Sequence, residues 1–282
     1  MESLRQIVFD DSLFFMRQAL LLSLLASIPF GTIGTLVVAK RISYLAAAIA
    51  HAVLGGIGFS LYAQHQWGWT WLHPLGGAFV TGIIAALLVG WVSLKHKAQE
   101  DTIIGAIWSM GMAIGLLFIF KTPQYVDPMS YLFGDILMIS TFDIWVVAIL
   151  AIGVLLMTTA AYRPLVALCF DEEFAFLRGV NTTPLYLFTL CLTAITIVLL
   201  VSIVGIVLVI ALLTLPAAIA GLFSRKLWQM MLGGSALCMV FTFTGTWLSY
   251  TWDLPTGPFI IILTGIGYMF ALVLKSIRTL QK

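Results

Sequence analysis

Apolar stretches of about 20 residues recur along this whole chain, and that recurrence restricts its fold more than any motif does. A helix needs roughly that length to cross the hydrocarbon core of a bilayer. Nine stretches qualify: 14–38, 42–63, 74–94, 102–120, 143–162, 184–202, 204–223, 229–250 and 257–275. In lipid every backbone amide must bond within the protein, so repeated spans of this kind imply a helical bundle. The alternation of a membrane β-barrel is absent. The expected class is an all-α polytopic membrane protein, with residues 1–282 forming a single transmembrane domain. With 61% hydrophobic and 9% charged residues, a soluble enzyme is excluded. Residues 1–13 carry Glu2, Arg5, Asp10 and Asp11 and lack a signal-peptide pattern, so they are read as an interfacial segment.

Charge placement orients the bundle. Lys40 and Arg41 follow the first stretch, Lys95 and Lys97 the third, and Arg163 and Arg178 the fifth. Arg225 and Lys226 follow the seventh; Lys275, Arg278 and Lys282 follow the ninth. That places 11 of the 14 basic residues on one side. The positive-inside rule makes this side cytoplasmic, with the N-terminus outside and the C-terminus inside. The outer connections carry Trp67, Trp69, Trp71, Tyr125, Tyr250 and Trp252, whose amphipathic rings suit the headgroup layer and anchor the chain in lipid. Residues 131–140 (YLFGDILMIS) are too short to cross and too apolar for a free loop. They read as a re-entrant or interfacial segment, with Asp135 at a pathway mouth or as a solvated acid on an ordinary outer helix.

Chemistry-bearing residues are few. His51 is the one ionisable side chain well inside a span, among Ala47, Ala48, Ala52, Gly55 and Gly56. Small residues let helix backbones approach, so this face packs against another helix or a second subunit. The histidine either hydrogen-bonds across that seam or lines a path for a cation, imidazole being a common metal ligand. His65, His73 and His96 lie in connections and read as surface residues. GGIG at 55–58 is a packing motif. Pro216 removes a backbone donor within the seventh span and should kink the helix or end its regular part. Cys169, Cys191 and Cys238 form no metal or disulfide pattern. No nucleotide-binding loop, metalloprotease or nucleophile motif occurs, so the chain is not read as an enzyme and any ATP must be bound by another subunit. With a net charge of +2, no nucleic-acid partner is expected either.

Against this background the run DEEFAFLRGV, 171–180, places three acids and an arginine among Phe174, Phe176 and Leu177 in a cytoplasmic connection. Such a short amphipathic helix offers apolar knobs and charge to a soluble partner.

Together RISYLAAAIAH (41–51), YLFGD (131–135), EFAFLRGV (173–180), LLTLPAA (212–218) and WDLPTGP (252–258) resemble, in order and spacing, the permease subunits of bacterial ABC importers for zinc, manganese or iron. The resemblance implies one permease domain in the inner membrane, paired as a homodimer. It also implies a cytosolic ATP-binding subunit and an extracytoplasmic metal-binding protein as partners. The 164–182 segment becomes the coupling loop, with Glu172, Glu173, Phe174, Ala175, Arg178 and Gly179 at the ATPase. His51 becomes a metal ligand, with Asp135 a weaker candidate. In many relatives an aspartate stands four residues before the histidine; here that position is Ala47. Without the carboxylate, zinc fits the remaining imidazole better than manganese, which prefers oxygen ligands, and iron stays open. The alternative is a self-contained secondary transporter or cation channel, which would need a relay of buried acids. Asp127, Asp135, Asp143 and Asp253 all map to outer loops or span ends instead.

Overall fold

The computed structural model describes residues 14–95, 100–123, 127–134 and 139–280, and among these only helices and their connections occur. In chain order they are α1 (Phe14–Ala39), α2 (Ser43–Trp67), α3 (Pro74–Lys95), α4 (Glu100–Lys121), α5 (Pro128–Phe133) and α6 (Thr141–Ala160). Then follow α7 (Tyr162–Phe170), α8 (Glu172–Leu177), α9 (Thr182–Val204), α10 (Ile206–Phe223), α11 (Leu227–Trp252) and α12 (Thr256–Leu280). Nine helices among the described residues are long and apolar enough to span a bilayer, one for each stretch read from the sequence. The proposed interfacial segment at 1–13 lies outside the described residues. So do Asp135 and most of the apolar part of 131–140; residues 131–133 end α5.

The helices group into two compact units. One contains α2, α3, α4, α7, α8 and α9 as far as Ser202. Its seams are built on glycine. A β-carbon added at Gly58 would run into the Gly115 carbonyl of α4, and one at Gly111 into the Ala52 backbone of α2. On another side of α2, Gly56 meets Gly77 and Thr81 of α3. Thus 55–58 is a packing motif, and the question of dimer or intrachain seam resolves to an intrachain one at these positions. Gly82 and Gly90 of α3 in turn receive Val198, Leu187 and Leu190 of α9.

The other unit contains α1 as far as Thr35, α6 as far as Met157, and α10 to α12. Gly31 and Gly34 of α1 lie against Ser235 of α11 and the Leu213 carbonyl of α10. The helix α10 continues through Pro216 rather than ending there. The Thr214 hydroxyl donates to Ile210 O at 2.8 Å, not to the Leu212 carbonyl that proline frees. Two of the quoted sequence runs have local reasons here. Gly134, at φ 65°, abuts the Val204–Gly205 backbone. In WDLPTGP, Asp253 caps α11 in the left-handed region at φ 53°. The Ser249 hydroxyl there donates to Leu254 O and shares a 3.0 Å hydrogen bond with Thr256.

Buried hydroxyls mostly bond back to their own helix. Thr189, Thr193, Thr196, Thr242 and Thr264 each donate to the carbonyl four residues earlier, satisfying themselves where water is missing.

Gly58→Leu is expected to lower the thermal unfolding midpoint of the detergent-solubilised chain, through overpacking worth roughly 1–3 kcal/mol or more. Gly76→Leu, whose added β-carbon meets open space, should leave that midpoint unchanged.

Candidate functional site

The polar connection between α7 and α9 folds around two caps. Asp171 is extended (φ −154°, ψ 98°), and its Oδ1 accepts from Phe174 N at 2.8 Å, which starts α8. Six residues later the helix ends in a Schellman turn: Val180 N donates to Ala175 O and Gly179 N to Phe176 O, at 3.0 and 2.9 Å. Gly179 holds φ 80° with open space around it, so it is there for its backbone freedom. Ala175 is fully buried, which explains a small residue at that position.

With the ends fixed, the remaining side chains point outward. Phe176 is 68% and Leu177 82% exposed, and Phe174 is half-exposed. The charges of this segment divide among different contacts. Asp171 is committed to the cap, and Arg178 lies over the Phe174 ring at 5.0 Å. Glu172 pairs with Lys40 Nζ at 2.5 Å, and its side chain stays 43% exposed. Glu173 is exposed, and no described cation pairs with it. In the sequence Lys40 reads only as a topology marker, and its contact with Glu172 has no local signal. Cys169 lies beside this segment; burial pushes its thiol up to about 11 against the opposing pull of the Lys40 charge.

His51 sits in α2, 8% exposed, with its ring stacked on Trp108 of α4 at 4.5 Å and 13° between planes. Tyr44, two turns earlier, meets the same indole at 5.7 Å. Ala47, one turn before the histidine, is buried. The stack gives His51 a packing role, yet its Nδ1 is buried without a hydrogen-bond partner. Such an orphan costs roughly 1–3 kcal/mol, so the imidazole keeps an unused capacity for a ligand or bond. Among the described residues no three His, Cys, Asp or Glu side chains gather into a metal-binding group. Trp108 carried no sequence signal beyond helical spacing.

The other described histidines, His65 and His73, are exposed. His65 Nδ1 lies 2.9 Å from Leu61 O, and His73 Nδ1 accepts from Leu75 N at 3.3 Å. The acids follow suit. Asp127 accepts from Met129 N, and Asp143 from the Ser140 amide and hydroxyl. Among the described residues no Asp or Glu is buried. His96 and Asp135 lie outside the described residues, and Pro216 is buried within α10.

Residues 12–275 match the ABC 3 transport family. The chain belongs to that family. A probable metal transport system membrane protein of Chlamydia trachomatis is 40% identical over 251 residues, covering 89% of this chain and 85% of the relative. A protein of Listeria innocua named manganese transport system membrane protein MntC is 31% identical over 257 residues, 91% of this chain and 89% of that one. The solved structure of PsaBC from Streptococcus pneumoniae in complex with Fab superposes with a TM-score of 0.82, at 24% identity, over 96% of this chain and 94% of that one. The chain is therefore an ABC permease of polytopic helical fold, a membrane protein rather than an ATPase.

Maleimide labelling at pH 8 should find Cys169 on the order of 100-fold slower than a solvent-exposed thiol, because its thiolate is scarce. The rate should climb with pH towards about 11. Fast labelling at pH 8 would contradict the raised thiol that its half-buried placement gives.

Proposed function

We propose that this chain is the membrane subunit of an ATP-driven importer that carries a divalent transition metal ion into the cytoplasm. The observation that supports it most is α8, a six-residue helix capped at both ends that turns Phe174, Phe176 and Leu177 to solvent. Exposed aromatic and leucine side chains on a rigid, charged segment suit insertion into a groove on a soluble protein. In an ABC family member that protein is the cytosolic ATP-binding subunit. Burial of Ala175 and the left-handed turn at Gly179 hold the helix in shape, and Glu173 supplies the charge that selects orientation. The residues 1–282 act as one permease domain, with the 164–182 loop in the cytoplasm and the N-terminus outside the bacterial inner membrane. An extracytoplasmic metal-binding protein delivers the ion, and a second copy of the chain completes the path.

The metal passes His51. Lacking the carboxylate that an aspartate at Ala47 would add, one imidazole per chain binds only weakly, and weak binding suits conduction. This donor chemistry favours zinc; the relatives named for manganese argue for the other ion. The rival reading, a self-contained secondary transporter or cation channel, needs a proton or ion relay of buried acids, and none of the described acids is buried.

Radiolabelled zinc and manganese uptake is the test, in cells carrying this chain with its ATPase and binding protein. Glu173→Lys, or Phe176→Asp, should abolish uptake with the chain still inserted, and His51→Ala should reduce it roughly tenfold or more. Normal uptake with Glu173→Lys would overturn the docking role of α8, and normal uptake with His51→Ala would return the histidine to packing.

A further inference from the structure

Resting on the importer reading, we propose that Lys40 is a positioning residue that fastens the ATPase-facing helix α8 to the root of α2. The docking segment and the His51-bearing helix then move together.

Lys40 is the C-cap of α1, and its ammonium gathers three different elements. It pairs with Glu172 Oε2 at 2.5 Å, donates to Leu168 O at 3.2 Å and lies 5.8 Å from the centroid of the Tyr186 ring. Each contact answers a local need. Leu168 O belongs to the last turn of α7, where carbonyls lack intrahelical donors. Glu172 opens α8, where the helix dipole favours a negative charge, and Lys40 closes α1, where it favours a positive one. The Tyr186 hydroxyl in turn donates to Ser93 Oγ at 3.0 Å, tying α9 to α3.

The route from Lys40 to α2 is short and stiff. Ile42 N donates to Val37 O and Arg41 N to Val38 O, at 2.9 and 3.1 Å, forming a Schellman turn. Arg41 takes the left-handed position at φ 61°, where glycine is usual, and α2 begins two residues later at Ser43. A non-glycine residue persists there only when its surroundings over-determine the turn. No slack linker separates the ammonium from α2.

The Lys40 side chain is 16% exposed and that of Glu172 43%, so the pair is less screened than a surface bridge. It borders a hollow of about 230 Å³, which Arg41, Glu100, Ser93 and Tyr186 also line. A removed Lys40 therefore leaves Glu172 with Arg41 as the other cation facing that hollow, and the tests must include charge exchange as well as deletion.

The experiment uses the complete transporter, this chain with its ATPase and binding protein, in liposomes. It measures zinc and manganese ions moved per ATP hydrolysed, together with the ATPase retained on the permease. Lys40→Met and Lys40→Glu should lower that ratio roughly tenfold or more with the ATPase still bound. Lys40→Arg, which keeps charge and donors, should stay within about twofold of the parent protein. Combining Lys40→Glu with Glu172→Lys should recover most of what Lys40→Glu loses, because the exchanged charges attract again, and the ATPase retained on the permease separates this loss from a failure to fold. A parental ratio in Lys40→Met, or a double variant no better than Lys40→Glu alone, overturns the proposal. If the parent complex itself moves neither ion in an ATP-dependent way, the importer reading fails instead.

Discussion

Helices surrounded by hydrocarbon gain nothing by turning apolar faces inward, so close backbone contact at small residues has to hold this bundle together. Gly55, Gly58, Gly111 and Gly115 let α2 and α4 approach until a single methyl group has no room at several of these positions, and Gly56 and Gly77 do the same for α2 and α3. His51 is positioned by that closeness. Its ring stacks on Trp108 because the α2–α4 seam brings the two helices within reach, and the same seam shuts Nδ1 away from water. The histidine's packing and its capacity for a ligand are thus two results of one contact.

The polar segment between α7 and α9 obeys the opposite rule. Water is available there, so charge is cheap and exposed apolar area is the unusual feature. Asp171 and Gly179 spend their chemistry on starting and stopping α8, and Glu172 spends its charge on Lys40. What is left outside is a small surface of Phe174, Phe176, Leu177 and Glu173. A transmitted force needs a rigid attachment behind such a surface, and the ion pair with the turn at 40–42 provides one.

The spans were legible because length and hydropathy alone decide them, and each of the nine reappears with ends shifted by a few residues. The packing role of the 55–58 glycines was legible in kind, from small residues at helical spacing, but not in partner: nothing in the sequence tells which helix a small-residue face will meet. DEEFAFLRGV stood out for the same reason, polarity where the surroundings have none. The division of labour among its acids did not, since a cap, an ion pair and a free charge are all written as Asp or Glu. Lys40 and Trp108 were hidden because their roles come from partners 132 and 57 positions away, separations that no local pattern encodes.

The most direct measurement is site-specific cross-linking between α8 and the ATP-binding subunit in a working transporter whose Cys169, Cys191 and Cys238 have been replaced by serine. Single cysteines would be placed in turn at Phe174, Ala175, Phe176, Leu177 and, as a control in the exposed α2–α3 connection, Trp71. The account predicts efficient cross-links from the exposed positions 174, 176 and 177, and none from buried 175 or from 71. Absence of cross-links from all three exposed positions in a complex that still transports metal would contradict it.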